Sequence, residues 1–172
     1  WGTITGSGSA SSINDPNSAV TGLTVGLTTV LRWTITSGFG ACGPSSSDVT
    51  INVDSAITVA DAGPTQDLCN VTSSTLAANS VKVPETGTWT TFSGTGSASS
   101  VNDPGSAVTG LTVGLTTVLT WTITSEFGAC GPSSSTVTIN VDSGMTVADA
   151  GPTQDLCNVT SGTLAANSVK VS

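Results

Sequence analysis

The chain contains no histidine and no tyrosine, and only 3 of its 172 residues are Lys or Arg. Each shortage excludes a class of chemistry. Without imidazole there is no Ser-His-Asp or Cys-His machinery and no histidine metal ligand. Three cations against 11 acids, a formal charge of -8, cannot neutralise a run of phosphates, which excludes nucleic acid as a partner. Apolar runs extend for only a few residues, too short to insert into or span a membrane. The chain opens on Trp1 with no signal-peptide pattern, and so reads as a window on a longer polypeptide. No acid–base pair is in view, and the expectation is a protein that is not an enzyme and carries no cofactor.

What is abundant is small and hydroxylated. Ser numbers 26 and Thr 31, so 57 of 172 side chains are short alcohols. Hydrophobic content is still 37% and charge only 8%, whereas disordered chains combine low hydrophobicity with high net charge. Thr- and Val-rich segments broken by 20 Gly and 7 Pro read as short strands joined by tight turns. The fold class expected is all-β.

Internal repetition decides the architecture. Trp1 and Trp89, Trp33 and Trp121, Cys42 and Cys130, and Cys69 and Cys157 are each 88 residues apart. Residues 1–84 and 89–172 differ at 13 of 84 positions, leaving 71 identical. A period of 88 is too long for a solenoid rung and suits one β-sandwich per repeat. Both ends of the chain fall inside a repeat. On this frame 57–143 is a complete sandwich, 1–56 the later part of a preceding one, and 144–172 the opening strands of a following one. The two end pieces are complementary parts of the same fold.

Period-2 alternation places strands within the repeat. Leu119, Trp121 and Ile123 alternate with threonines, as do Val137, Ile139 and Val141 with Thr136, Thr138 and Asn140. Further strands are expected at Ile57–Val59, Thr75–Ala77, Gly87–Thr91 and Val108–Leu111. Turn chemistry occupies Gly94–Ser97, Asn102–Gly105 and Thr112–Gly114. About seven strands in such a length is an immunoglobulin-like pattern. Trp33 and Trp121 share the inward face with Leu and Ile, and Trp1 and Trp89 are expected in the core against a disulfide.

A sandwich of this size is marginal on burial alone, and cysteine is expected to supply the difference. Pairing Cys69 with Cys130 inside one sandwich closes a loop of about 60 residues, worth roughly 4 kcal/mol in a chain-entropy model. The competing pair, Cys42 with Cys69, would link neighbouring sandwiches. Under intradomain pairing, Cys42 and Cys157 take partners in an adjacent repeat or a neighbouring chain. No C-x-x-C spacing suggests a metal, and disulfides imply an extracellular setting.

The segments Ala60–Cys69, Gly87–Trp89, Asn102–Pro104, Val108–Leu111, Leu119–Ile123 and Ala129–Gly131 resemble tandem PKD-like repeats of immunoglobulin fold. Such repeats occur in very large surface proteins and adhesins of Bacteroidota-type bacteria. The resemblance covers the chain twice over. It implies secretion, cell-surface attachment and a stalk, fibre or adhesin role, and it brings no catalytic residues.

Few side chains suggest a specific site. Asp54, Asp61 and Asp67, echoed by Asp142, Asp149 and Asp155, gather at the repeat boundary and could stiffen it by binding calcium, a cation that takes several hard oxygens. Solvated or turn-capping carboxylates are the plainer reading. Asp15 and Asp103 precede proline as turn initiators. Asn70 and Asn158 head N-x-T acceptor triplets, and Ser55 in Asp54-Ser55-Ala56 looks like a Bacteroidota-type O-glycosylation acceptor that Asp142-Ser143-Gly144 does not reproduce. Lys82 and Lys170 read as surface lysines.

Two functions are consistent with these residues. One is a structural repeat of an extracellular fibre or adhesin stalk, giving length and mechanical continuity, with identical repeats or chains as end-to-end partners. The other is an adhesin module recognising a glycan or host surface through repeated loops. In a fibre of separate chains, 144–172 of one chain would complete 1–56 of the next by strand addition, with Cys157 bonding Cys42.

Overall fold

The computed structural model describes residues 1–169, and among them every regular element is a strand. Lys170 lies outside the described residues, as does the end of the 144–172 segment. The first half contains β1 (Gly2–Thr5), β2 (Ser9–Ala10), β3 (Val20–Thr21), β4 (Thr28–Ile35) and β5 (Ser45–Asn52). The second contains β6 (Gln66–Cys69), β7 (Ser73–Thr75), β8 (Thr86–Ser93), β9 (Ser97–Ala98), β10 (Ala107–Thr109), β11 (Thr116–Thr124) and β12 (Ser133–Asp142). No helix among the described residues is long and apolar enough to cross a membrane.

Residues 57–143 form a two-sheet sandwich. One sheet has the order β6-β12-β11-β8, with β6 parallel to β12 and the other pairs antiparallel; the facing sheet is β7-β10-β9. Alternation works as the pleat requires. Leu119, Trp121 and Ile123 of β11 and Val137, Ile139 and Val141 of β12 point inward and meet Leu76, Val108 and Leu111 from the other side. The threonines between them face water. Ala60 and Ala62, on an extended segment ahead of β6, seal one edge of this core.

Two glycines are needed by this packing. The Trp121 ring lies over Gly87, where an added Cβ would stand 2.2 Å from Cζ2. Gly94 follows β8 at φ +92, and a Cβ there would meet the Thr117 backbone at 2.6 Å. It closes the stretch where the β8–β11 register slips between Val118 and Leu119.

The first half repeats half of this plan. β1-β4-β5 has the order of β8-β11-β12, and β2-β3 corresponds to β9-β10. Counterparts of β6 and β7 are not paired to it. Its inner face is therefore open: Ile35 is 60% exposed where Ile123 is 0%, and Val49 41% where Val137 is 1%. Residues 154–163, which repeat the β6–β7 sequence, form no strand.

Several expectations need correction. Ile57–Val59 forms no ladder: the Thr58 N–H donates to the Glu85 carboxylate and the Val59 carbonyl accepts from Asn79 Nδ2, so side chains take the place of a neighbouring strand. β6, which ends at Cys69, is a strand that the alternation pattern did not mark. The Gly94–Ser97 turn yields to the short strand β9 at its end. Trp89 packs on Trp121, ring centroids 5.0 Å apart, with no disulfide behind it. Trp1 and Trp33 repeat the pair at 5.1 Å, although Trp33 is only partly covered.

Candidate functional site

The most developed polar arrangement joins the two halves. β5 runs out at Asn52, and Val53 exchanges backbone hydrogen bonds with Gly26 and Leu27. The next residue, Asp54, then reaches into the β11–β12 loop. Its carboxylate accepts hydrogen bonds from Ser125 Oγ at 2.8 Å, the Phe127 N–H at 2.9 Å and the Ala129 N–H at 2.6 Å. The Cys130 thiol donates to the Ser55 carbonyl at 3.3 Å. Partial burial would raise the Asp54 pKa, but donors on Phe127, Ser125, Ala129 and Cys130 outweigh it and hold the carboxyl below its ordinary value. The result is a hydrogen-bonded carboxylate staple between consecutive repeats.

A second carboxylate organises the entry to the sandwich. Glu85 accepts from the Thr58 N–H at 2.7 Å and the Lys82 N–H at 3.1 Å. Burial opposes its ionisation, yet Thr58 and Lys82 hold it below the usual range. Both carboxylates do structural work.

The remaining acids are dispersed. Asp61 caps its own turn, Oδ1 to the Gly63 N–H at 2.9 Å, and Asp149 repeats this with Gly151. Asp67 accepts from Asn140 Nδ2 at 2.8 Å across the parallel pair. Asp142 ends β12, and Asp155 is exposed. Asp54, Asp61, Asp67, Asp142, Asp149 and Asp155 are not brought together, and no cluster of three or more potential metal ligands exists among the described residues. Asp15 and Asp103 each cap a turn, accepting from the N–H of Asn17 and Gly105. Asn70 and Asn158 adopt left-handed backbone at φ 53 and 51, a conformation Asn tolerates better than most residues. Ser55 is half-buried in the junction.

All four cysteines are free and exposed. The intradomain Cys69–Cys130 bridge expected from the sequence is not formed, and the strand plan explains why. Cys69 pairs with Asp142 at the end of β12, whereas Cys130 precedes its start at Ser133. Ten extended residues separate those ends by about 30 Å, against the 7 Å that a disulfide tolerates between Cα atoms.

Two features escaped the sequence reading. One is the Asp54 staple, since nothing local tells a capping aspartate from a solvated one. The other did leave a signal. Arg32 and Asp48 are cross-strand neighbours forming a bidentate pair at 2.6 and 2.8 Å, and the equivalent neighbours in the second copy are Thr120 and Thr136. Two of the 13 differences are thus one coupled exchange.

No protein-family model and no curated protein matches the chain. Among solved structures, it is similar to the solution structure of the PKD domain from KIAA 1837 protein. The two share 27% sequence identity at a TM-score of 0.41, with 56% of this chain and 92% of that chain covered.

Proposed function

We propose that the chain is a structural repeat of an extracellular bacterial fibre or adhesin stalk, attached to the cell surface and set end to end with identical repeats. The observation that supports this reading is the Asp54 staple: just beyond the last strand of one repeat, its carboxylate accepts from three donors on the loop of the next, an arrangement suited to holding repeats in series. Near-identity of copies, low charge and a hydroxyl-covered surface suit a spacer exposed to the environment. Neither catalysis nor a cofactor is part of this reading. The test is the shape of the chain in solution by small-angle scattering. A rod whose maximum dimension shrinks or blurs when Asp54→Ala is introduced supports the spacer role; an unchanged profile in the variant removes the staple from it. Binding of the wild-type chain to a glycan array would favour a recognition module instead.

A further inference from the structure

The two copies differ most where they touch least of the core. Four of the 13 differences are Gly2 to Thr90, Ile4 to Phe92, Arg32 to Thr120 and Asp48 to Thr136. Strand register brings them together. Gly2, Arg32 and Asp48 are cross-strand neighbours over β1, β4 and β5, as Thr90, Thr120 and Thr136 are over β8, β11 and β12. A complete row of the outward sheet face is thus exchanged, while the inward Leu119, Trp121, Val137 and Ile139 are the same residues in both copies.

In the first copy the row satisfies itself. Arg32 donates to both Asp48 oxygens at 2.6 and 2.8 Å, so each charge is neutralised by the other, and Gly2 adds no side chain. In the second copy the row is three hydroxyls, stepped about 4.8 Å from strand to strand. Thr90 and Thr136 are exposed and Thr120 is half-buried. Among the described residues none of these three hydroxyls bonds another protein group, unlike Thr122 in the next row, whose Oγ1 lies 3.1 Å from Ser134 Oγ.

Phe92 stands beside this row. The β8–β11 pairing slips where Leu119 is opposite Thr91 and Val118 opposite Ser93, which makes Phe92 the extra residue of a bulge. It is two positions beyond Thr90, hence on the same face, and 78% exposed. A bulge re-aims a side chain, and this one presents an aromatic ring to water. The first copy has its own slip between Thr3 and Thr5 but places Ile4 there, with no ring.

These groups define a ligand chemistry. The face of an aromatic ring carries negative potential and attracts polarised C–H bonds, and threonine hydroxyls both donate and accept. The flanking Thr88, Thr122, Ser134, Ser93, Val118 and Thr138 carry no charge. The formal charge of -8 repels anions, and a row without a carboxylate holds no cation. An uncharged molecule with C–H faces and many hydroxyls answers this description. Going beyond the spacer reading, we infer that the outward face of β8, β11 and β12 binds a neutral polysaccharide, a pyranose ring stacking on Phe92 and adjoining sugar hydroxyls bonding Thr90, Thr120 and Thr136. The site belongs to the second copy. It uses the sheet face, whereas the Asp54 staple uses the β11–β12 loop, so joining repeats and holding a glycan engage different groups.

The experiment measures depletion of the 172-residue chain from solution by insoluble cellulose, chitin and mannan, with calcium-free anionic alginate beads as the control. Saturable binding to at least one neutral polysaccharide, and none to alginate, is expected. Phe92→Ala, and the double variant Thr120→Arg/Thr136→Asp that transplants the first copy's pair, should each weaken binding about tenfold or more. Both change outward positions, so the unfolding midpoint should stay at the wild-type value. Failure to bind all three neutral polysaccharides, stronger binding to alginate, or a Phe92→Ala isotherm equal to the wild type would overturn the inference. Glycan binding that survives Phe92→Ala would belong to other groups, as a loop-based recognition module requires. Binding lost with Phe92→Ala leaves the spacer reading standing, and a scattering profile that Asp54→Ala leaves unchanged sinks the staple without touching this site.

Discussion

At the scale of single residues, the chemistry of this chain is that of carboxylates and glycines placed where a backbone needs them. Asp54 and Glu85 both ionise more readily than ordinary acids, burial opposing and nearby donors prevailing. A carboxyl depressed in the folded state contributes stability that is complete above its unfolded value, about 4. That contribution is lost as pH falls through the lowered folded value. The repeat junction is therefore expected to hold at neutral pH and loosen in acid below about pH 4, detected as faster proteolysis between Val53 and Ile57. Asp54→Asn should loosen it at neutral pH, with the acid dependence largely abolished. Gly87→Ala drives a methyl into the Trp121 ring and is expected to cost about 1–3 kcal/mol, read as a lower unfolding midpoint by tryptophan fluorescence. The need for glycine at 87 was not legible beforehand, because only the folded core brings Trp121 over it.

At the scale of elements, sequence period and tertiary context divide the work visibly. The strands read from strict alternation, β11 and β12, stand where the pattern placed them. Ile57–Val59 has the same local pattern and forms no ladder, since side chains of Glu85 and Asn79 satisfy it. The same residues can also differ in worth. Leu76→Ala should cost about 2–5 kcal/mol, while Leu164→Ala, its repeat equivalent, should leave the unfolding midpoint of the monomer unchanged. Chemical denaturation of the two variants side by side checks this. The exposed Arg32–Asp48 pair can be exchanged for the Thr–Thr pair of the second copy, and the double variant should keep the wild-type midpoint.

At the scale of the whole molecule, residues 57–143 build a two-sheet sandwich and 1–53 repeat its β8–β12 strands. Native-state alkylation should label all four cysteines, which are free and exposed. The all-β class, the 88-residue period and the inward faces of β11 and β12 were determined by the amino-acid pattern alone, because alternation and repetition are properties of neighbouring residues. Which cysteines lie far apart, which aspartate becomes a staple and which strands pair were decided only by the tertiary structure. Each of these depends on where a strand of fixed rise ends and on which other strand lies beside it.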